Sequence, residues 1–201
     1  MQRQNYFDRL ASSWDKEVTQ KTLECLGNII KELNISPGSH VLDIGSGTGI
    51  LLPFLIEAVG EGRIIALDFS ARMLLQAKAK NFNPIVDFIQ ADVTTIPLAD
   101  SCADLAMCNS AFPHFGHKLE ALKEIARVIK GNGRLVICHT ASRNTINQLH
   151  QSIGGIVSTD FLPGESQLRE LIEHAGLAVT RLEDNPKRYL VIARKVTRPP
   201  D

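Results

Sequence analysis

Residues 41–49 join an apolar segment to three glycines at alternate positions, Val-Leu-Asp-Ile-Gly-Ser-Gly-Thr-Gly. Because glycine has no Cβ atom, Gly45, Gly47 and Gly49 allow a sharp turn and leave bare backbone against which a ligand can lie. A helix that starts after such a loop directs unpaired N–H groups and the positive end of its dipole at the ligand. The pattern therefore predicts a buried strand, a loop that binds a nucleotide-type cofactor, and a helix.

The spacing of the glycines separates the possible cofactors. A dinucleotide fingerprint has the form Gly-x-Gly-x-x-Gly, whereas here Ile50 stands where the third glycine is required, and Gly49 comes one residue early. The Gly-Lys-Ser/Thr ending of a Walker loop is absent from this sequence. A nicotinamide-dependent oxidoreductase is therefore disfavoured, although it stays open as an alternative.

Three further polar residues end the apolar segments that follow the glycine loop. Asp68 lies 21 residues after Gly47, and Asp92 and Asn109 end the next two segments. In α/β ligand folds, an acid near the spacing of Asp68 accepts hydrogen bonds from ribose hydroxyls. Asp68 or the nearby Ser70 can instead cap the next helix, and the two roles are compatible.

In their order and spacing, these motifs resemble those of the class I S-adenosylmethionine-dependent methyltransferases over residues 39–140. The stretch from Asp43 to Gly49 resembles the first motif of that family, and Ala91-Asp92-Val93 resembles a later one. Residues 6–15 resemble the entrance of its small-molecule branch, the ubiquinone/menaquinone-biosynthesis or methyltransferase type 11 enzymes.

The resemblance implies S-adenosylmethionine as cofactor, in-line transfer of its methyl group to a small-molecule acceptor, and S-adenosylhomocysteine as product. It also implies that Asp68 holds the ribose, that Asp92 and Val93 bind the adenine, and that Phe69 and Met73 flank it. Core packing explains Phe69 and Met73 equally well. The predicted cofactor-binding residues are Trp14, Asp43, Gly45, Ser46, Gly47, Asp68, Phe69, Met73, Asp92, Val93 and Asn109.

The resembled family has no fixed catalytic residue, so a base has to be sought among local side chains. His114 and His139 follow the predicted fourth and fifth strands, and both are predicted as catalytic candidates because histidine titrates near neutral pH. Together with Arg143 and His150 they are also predicted to bind substrate. Structural hydrogen bonding is the alternative for each. Because a closed motif such as His-Glu-x-x-His is absent, no metal site is predicted.

Apolar segments alternate with segments of helical period, which predicts an α/β fold with helices on both faces of a parallel sheet. We predict strands at 40–44, 63–67, 85–90, 103–108, 133–139, 177–183 and 189–194. Residues 184–188 are too few for a crossover helix, so the last two strands form a hairpin. The expected fold is a Rossmann-like, seven-stranded mixed sheet with its last strand antiparallel. Residues 1–38 are expected to form a helical lid, and residues 39–201 a single domain.

The charge balance limits the expected partners. The formal net charge is zero, with 22 basic and 22 acidic residues, so no nucleic acid is expected. No apolar run approaches the ~20 residues of a membrane helix, and the N-terminal residues contain no signal core. The four cysteines have no paired spacing, which is typical of a cytoplasmic chain. We expect a cytoplasmic monomer or homodimer. A non-catalytic protein that binds an adenosyl cofactor is the other alternative.

Overall fold

A computed structural model describes residues 2–82 and 84–196 and contains a seven-stranded sheet. The strands are β1 (His40–Ile44), β2 (Arg63–Asp68), β3 (Val86–Gln90), β4 (Ala103–Asn109), β5 (Ile129–His139), β6 (Leu177–Asn185) and β7 (Arg188–Lys195). Their spatial order is β3-β2-β1-β4-β5-β7-β6. The first five are parallel, and β7 runs antiparallel to both β5 and β6. The predicted mixed sheet is confirmed; residues 197–201 of the expected domain lie outside the described part.

The described residues form seven α-helices and three short 3-10 turns. The helices are α1 (Gln2–Leu10), α2 (Gln20–Leu33), α3 (Leu52–Val59), α4 (Ala71–Ala79), α5 (Lys118–Val128), α6 (Arg143–Ile153) and α7 (Glu165–His174). The turns span Trp14–Glu17, Phe112–His114 and Gly155–Val157. Thr19, Ser70 and Ser142 set the starts of α2, α4 and α6, because each side-chain oxygen accepts a hydrogen bond from a backbone N–H three residues on.

The sheet is covered on both faces because successive strand residues point to opposite sides. On one face, Val41 packs in a cluster with Leu26 of α2 and Leu52 of α3. On the other face, Leu42 packs in a cluster with Ile125 of α5. Strand residues on both sides are apolar, as parallel strands between two helical layers require.

The order of the strands reverses between β1 and β4, so the chain leaves these two strands in opposite directions. This reversal opens a crevice at their carboxyl ends, where α/β folds bind ligands. The loops after β1 and β4 meet closely there: a Cβ atom added at Gly45, whose φ is +67°, would overlap the Cβ atom of Ala111.

The C-terminal hairpin is tighter than residues 184–188 suggested, since only Pro186 and Lys187 separate β6 from β7. The Asn185 side chain makes this short turn possible: its Oδ1 atom accepts hydrogen bonds from the backbone N–H groups of Lys187 and Arg188. β5 starts at Ile129 rather than at residue 133, because Ile129 pairs with Ala103 before a shift in register.

The N-terminal segment divides into two parts with different surroundings. α2 buries Leu26, Ile29, Ile30 and Leu33 in the sheet core. α1 instead lies against α4 and the Gly155–Val157 turn, and Phe7 is its one buried residue. α1 therefore covers the carboxyl edge of the sheet rather than adding to the central core.

Candidate functional site

A cavity of about 600 Å³ lies at the carboxyl ends of β1, β2 and β4, beneath α1. This volume falls within the usual range of small-molecule sites. The structure brings every predicted cofactor-binding residue to its wall. These are Trp14, Asp43, Gly45, Ser46, Gly47, Asp68, Phe69, Met73, Asp92, Val93 and Asn109.

The glycine loop is fixed against the end of β2. The N–H groups of Gly45 and Ser46 donate to the Leu67 carbonyl, and the Gly47 N–H donates to Asp68 Oδ2 over 2.8 Å. Gly47 has a φ of +55° and open space where a Cβ atom would stand. The loop therefore presents backbone to the cavity at a position that disfavours any side chain.

Asp68 is 5% exposed and joins the loop to the following helix. Its Oδ1 atom accepts from the Ser70 N–H over 2.8 Å, while Ser70 itself caps α4. Burial raises the pKa of Asp68 to about 6, against the opposing effect of these backbone donors. Ser70 therefore caps α4 directly beside Asp68, an acid that lines the cavity.

Asp43 is a buried carboxyl group without a complete set of partners. It is 1% exposed, and its Oδ2 atom has no hydrogen-bond partner among residues 2–82 and 84–196. Burial, together with the nearby charge of Asp68, raises the pKa of Asp43 to about 7. A buried acid in this state is complemented by a cationic ligand group, which supplies the missing partner and favours the ionised form.

Apolar side chains line the part of the cavity near β3 and α4. Phe69, Met73 and Trp14 form a cluster with Phe7 of α1. The ring centroid of Phe7 lies 5.8 Å from that of Trp14 and 5.7 Å from that of Phe69. These groups give this part of the cavity an apolar, aromatic wall against which a flat ring can pack. Asp92 also lines the cavity, and its Oδ1 atom accepts from Thr94.

His114 lines the cavity from the turn after β4, as predicted, and it has a partner that the sequence did not reveal. Its Nδ1 atom lies 2.8 Å from Oδ2 of Asp160, which is 2% exposed. Asp160 also accepts from Arg3 of α1. Neither Asp160 nor Arg3 belongs to a recognisable motif, and 46 residues separate Asp160 from His114.

His139, Arg143 and His150 do not line the cavity. His139 is buried at the end of β5, 6.1 Å from the ring of Tyr189, and burial lowers its pKa to about 3. The Arg143 N–H donates to Asp184. His150 Nδ1 lies 2.5 Å from the Asp160 carbonyl oxygen, so this ring holds the chain beside the cavity.

No three His, Cys, Asp or Glu side chains within residues 2–82 and 84–196 are grouped so that they could hold a metal ion. No helix in that part of the chain combines the length and apolar character needed to cross a membrane.

Comparison with known proteins agrees with this geometry. A family model described as a methyltransferase domain matches residues 42–137. The chain is 29% identical over 190 residues to the ubiquinone/menaquinone biosynthesis C-methyltransferase UbiE of Bdellovibrio bacteriovorus, covering 87% of this chain and 79% of that protein. It is also 29% identical over 175 residues to a demethylmenaquinone methyltransferase of Renibacterium salmoninarum, covering 86% of this chain and 65% of that protein.

A solved structure is similar over nearly the same length. The crystal structure of a SAM-dependent methyltransferase from Aquifex aeolicus has a TM-score of 0.76 and 26% identity, and the match covers 92% of this chain and 98% of that one. The cofactor of that protein suits the cavity: Asp43 Oδ2 lacks a partner that an ammonium group supplies, and Asp68 can accept from ribose hydroxyls. This chain is a class I S-adenosylmethionine-dependent methyltransferase.

Proposed function

We propose that the chain methylates a small, flat acceptor with an acidic proton, and that His114 removes that proton. The carrying observation is the position of His114: it lines the cavity with Nδ1 held by Asp160. Its Nε2 atom has no hydrogen-bond partner among the described residues. A neutral imidazole with one nitrogen held as donor leaves the other as a proton acceptor.

The acceptor would occupy the end of the cavity away from β2 and β3. That end is lined by the apolar side chains of Phe115 and Ile156 and by polar side chains from α1 and the segment after β4, namely Gln2, Arg3, Gln4, His114 and His117. The polar groups can fix the orientation of a compact ring compound that packs against the apolar ones. The relatives named for ubiquinone and menaquinone biosynthesis support a hydroxylated, quinone-type ring as the first candidate.

S-Adenosylmethionine supplies an activated methyl group when bound. This chain's own residues then have three tasks. The glycine loop, Asp43 and Asp68 hold the cofactor; α1 excludes water by covering the cavity; and His114 takes the acceptor's proton so that the nucleophile can attack in line. We also propose a cytoplasmic location, since all four cysteines are free thiols.

Calorimetric titration with S-adenosylhomocysteine, S-adenosylmethionine and NADH tests the cofactor assignment. We expect micromolar binding of both adenosyl ligands and none of NADH. Asp68→Asn should weaken the adenosyl ligands by about 1.5–3 kcal/mol, the contribution of hydrogen bonds to a charged group. Asp87→Asn, which changes a half-exposed carboxylate on β3 outside the cavity, is the matched control. Equal affinity in the two variants would contradict the ribose assignment.

Methyl transfer is then measured with a labelled methyl donor and a panel of acceptors: 1,4-naphthohydroquinone, catechol and glycine. The proposal expects label on a ring compound and none on glycine, with turnover lost in His114→Ala while S-adenosylhomocysteine still binds. Binding without transfer to any acceptor would favour the non-catalytic alternative.

A further inference from the structure

Asp160 lies at the centre of a partly buried cluster that joins three separate parts of the chain. Its carboxylate is bonded by Arg3 from α1 and by His114 from the turn after β4. Arg3 Nη2 lies 2.5 Å from Oδ1, and Arg3 Nε lies 3.2 Å from both carboxylate oxygens. This is a side-on, two-point contact, which fixes direction as well as distance.

Contacts from His150 and Phe7 hold Asp160 and His114 in the same arrangement. The Asp160 carbonyl is bonded by His150 of α6, whose ring centroid lies 4.8 Å from that of His114. On its other side, the His114 ring packs edge-on against Phe7 of α1 at 4.9 Å. The imidazole is therefore held both by hydrogen bonding and by packing. α1 contributes Phe7 to this packing, and it also supplies the Arg3 side chain that bonds Asp160.

The protonation states of the cluster follow from its charges. Although burial raises it, the pKa of Asp160 is held at about 2 by the hydrogen bonds from His114 and Arg3. Burial lowers the pKa of His114, Asp160 raises it, and His150 and Arg3 lower it. Since an ionised carboxylate can only accept, His114 Nδ1 carries the hydrogen and Nε2 carries the lone pair. The titratable groups that act on His114 are Asp160, His150, Arg3 and His139, and Lys118 acts on Asp160 and Arg3.

We propose that Asp160 is a positioning residue that holds His114 with Nε2 ready to accept the acceptor's proton, and that Arg3 makes this arrangement depend on the docking of α1. The inference rests on the proposed function. As the acceptor forms its new bond to the methyl carbon, the bond from that carbon to sulfur breaks and leaves a neutral thioether. The released proton passes to Nε2, and Asp160 stabilises the resulting imidazolium.

The charges around Asp160 explain why the protonation state of His114 depends on the docking of α1. Arg3 balances the negative charge of Asp160 while His114 is neutral. Without Arg3, a carboxylate only 2% exposed would have His114 as its remaining side-chain partner and would favour the charged imidazolium. A charged ring cannot accept a proton. Withdrawal of α1 therefore uncovers the cavity and also converts His114 to the charged form. As a result, His114 is a neutral base only when α1 is docked and water is excluded from the cavity.

Nuclear magnetic resonance of the imidazole nitrogens tests this without an acceptor. In the S-adenosylhomocysteine complex we expect wild-type His114 in the Nδ1–H tautomer. Asp160→Asn should lower the His114 titration midpoint, and Arg3→Gln should raise it. Arg9→Gln, an exposed change on α1, should leave it unchanged. An Nε2–H tautomer in the wild type, or shifts of the same sign in the first two variants, would overturn the proposal.

Two further readouts separate this inference from the function on which it rests. Both variants should bind S-adenosylhomocysteine within about threefold of wild type. With an acceptor identified, Asp160→Asn should lower kcat at least tenfold, with little change in the KM for the cofactor. Absence of adenosyl binding in the wild type would reject the proposed function, whereas opposite His114 shifts would still support the cluster geometry. An unchanged kcat in Asp160→Asn would reject the positioning role alone.

Discussion

At the scale of single residues, two buried acids define the cofactor site. Asp43 and Asp68 end neighbouring strands, and burial raises their pKa values to about 7 and about 6. An acid with a higher pKa in the folded state makes that state bind more protons between about pH 4 and pH 7. These two groups therefore lower the free energy of unfolding of the ligand-free protein as pH rises through that window. Their arrangement serves a cationic ligand at the expense of stability.

Binding of the cofactor should release a proton from Asp43. A ligand ammonium group beside Oδ2 favours the ionised carboxylate, so its pKa falls on binding. Below about pH 7, where the free acid is protonated, affinity for S-adenosylhomocysteine should weaken by about tenfold per pH unit. Calorimetry at pH 6 in buffers of different ionisation enthalpy should detect release approaching one proton.

Asp43→Asn is the variant that isolates this effect. It keeps the shape of the side chain and removes the titration, so we expect weaker binding overall and a flatter dependence on pH. The same pH dependence in the variant as in wild type would assign the proton to another group.

The residues of the site differ in how far the sequence predicts them. Gly47, Asp68 and Asp92 follow strands at motif spacing, so their convergence on one cavity follows from parallel strands ending at one edge. Asp160 and Arg3 have no such marker. Their contacts with His114 depend on how the segment before α7 and α1 fold over the sheet, and this is decided by packing between distant parts of the chain. For the same reason, the sequence indicates that His139 and His150 lie near the carboxyl edge of the sheet, but it does not show that their side chains lie off the cavity wall.

At the scale of elements, α1 is held at a few points around the cavity. Phe7 fills the gap between Trp14, Phe69 and His114. Asp8 accepts from the Ser70 hydroxyl at the start of α4. The neighbouring Trp14–Glu17 turn is anchored through Asp15, which accepts from Thr48 in the glycine loop and pairs with Lys80. The cover is therefore attached to the cofactor-binding elements themselves.

Phe7→Ala should loosen α1 while leaving the sheet intact. Phe→Ala in a core costs about 3–5 kcal/mol, and because Phe7 borders a cavity we expect about 1–3 kcal/mol here, felt as local opening. Hydrogen exchange of the amides in residues 2–10 should speed up by roughly 5- to 150-fold, with amides of β1 and β4 unchanged.

The exposed change Arg9→Ala provides the comparison for this measurement, since it alters the same helix without removing buried area. Faster exchange across β1 and β4 as well as α1 would mean that Phe7 supports the whole domain rather than the cover.

Most helices and strands can be predicted from local sequence patterns. Apolar segments of strand length marked all seven strands, and the capping residue Ser70 marked the start of α4. The boundaries of β5 were less predictable. Residues 131–133, Gly-Asn-Gly, have the composition of a turn, and they lie in an irregular stretch inside β5, where the pairing with β4 passes from Ile129 directly to Arg134. That outcome depends on the pairing of Ile129 with Ala103, which no local pattern records.

At the scale of the whole molecule, α2 is tied to the far hairpin by a network of ions. Glu32 of α2 pairs with Arg181 of β6 and Arg188 of β7, and Arg188 also pairs with Glu183. The hydrogen bonds from Arg188 and Arg181 lower the pKa of Glu32 to about 2. An acid with a lowered pKa contributes stability above its unfolded value and loses that contribution as pH falls towards 2.

Glu32→Gln should destabilise the protein by about 1 kcal/mol or less at pH 7, because the group is over a third exposed and solvent screens the pairs. The difference in unfolding free energy between variant and wild type should shrink below pH 4 and be lost near pH 2. Urea unfolding across this range measures it, with Glu24→Gln on the same helix as control. A difference that persists at pH 2 would point to packing instead of charge.

The position of β7 between β5 and β6 has a consequence for how the chain is made. Synthesis proceeds from the N-terminus, so β7 leaves the ribosome after all six other strands. Until it arrives, β5 is an open edge and β6 has no neighbour, because each of them pairs with β7 and not with the other. The nascent chain can therefore hold a parallel five-stranded intermediate with one exposed hydrophobic border. Completion of the domain is a late insertion event, and the interval before it is when chaperone protection matters most.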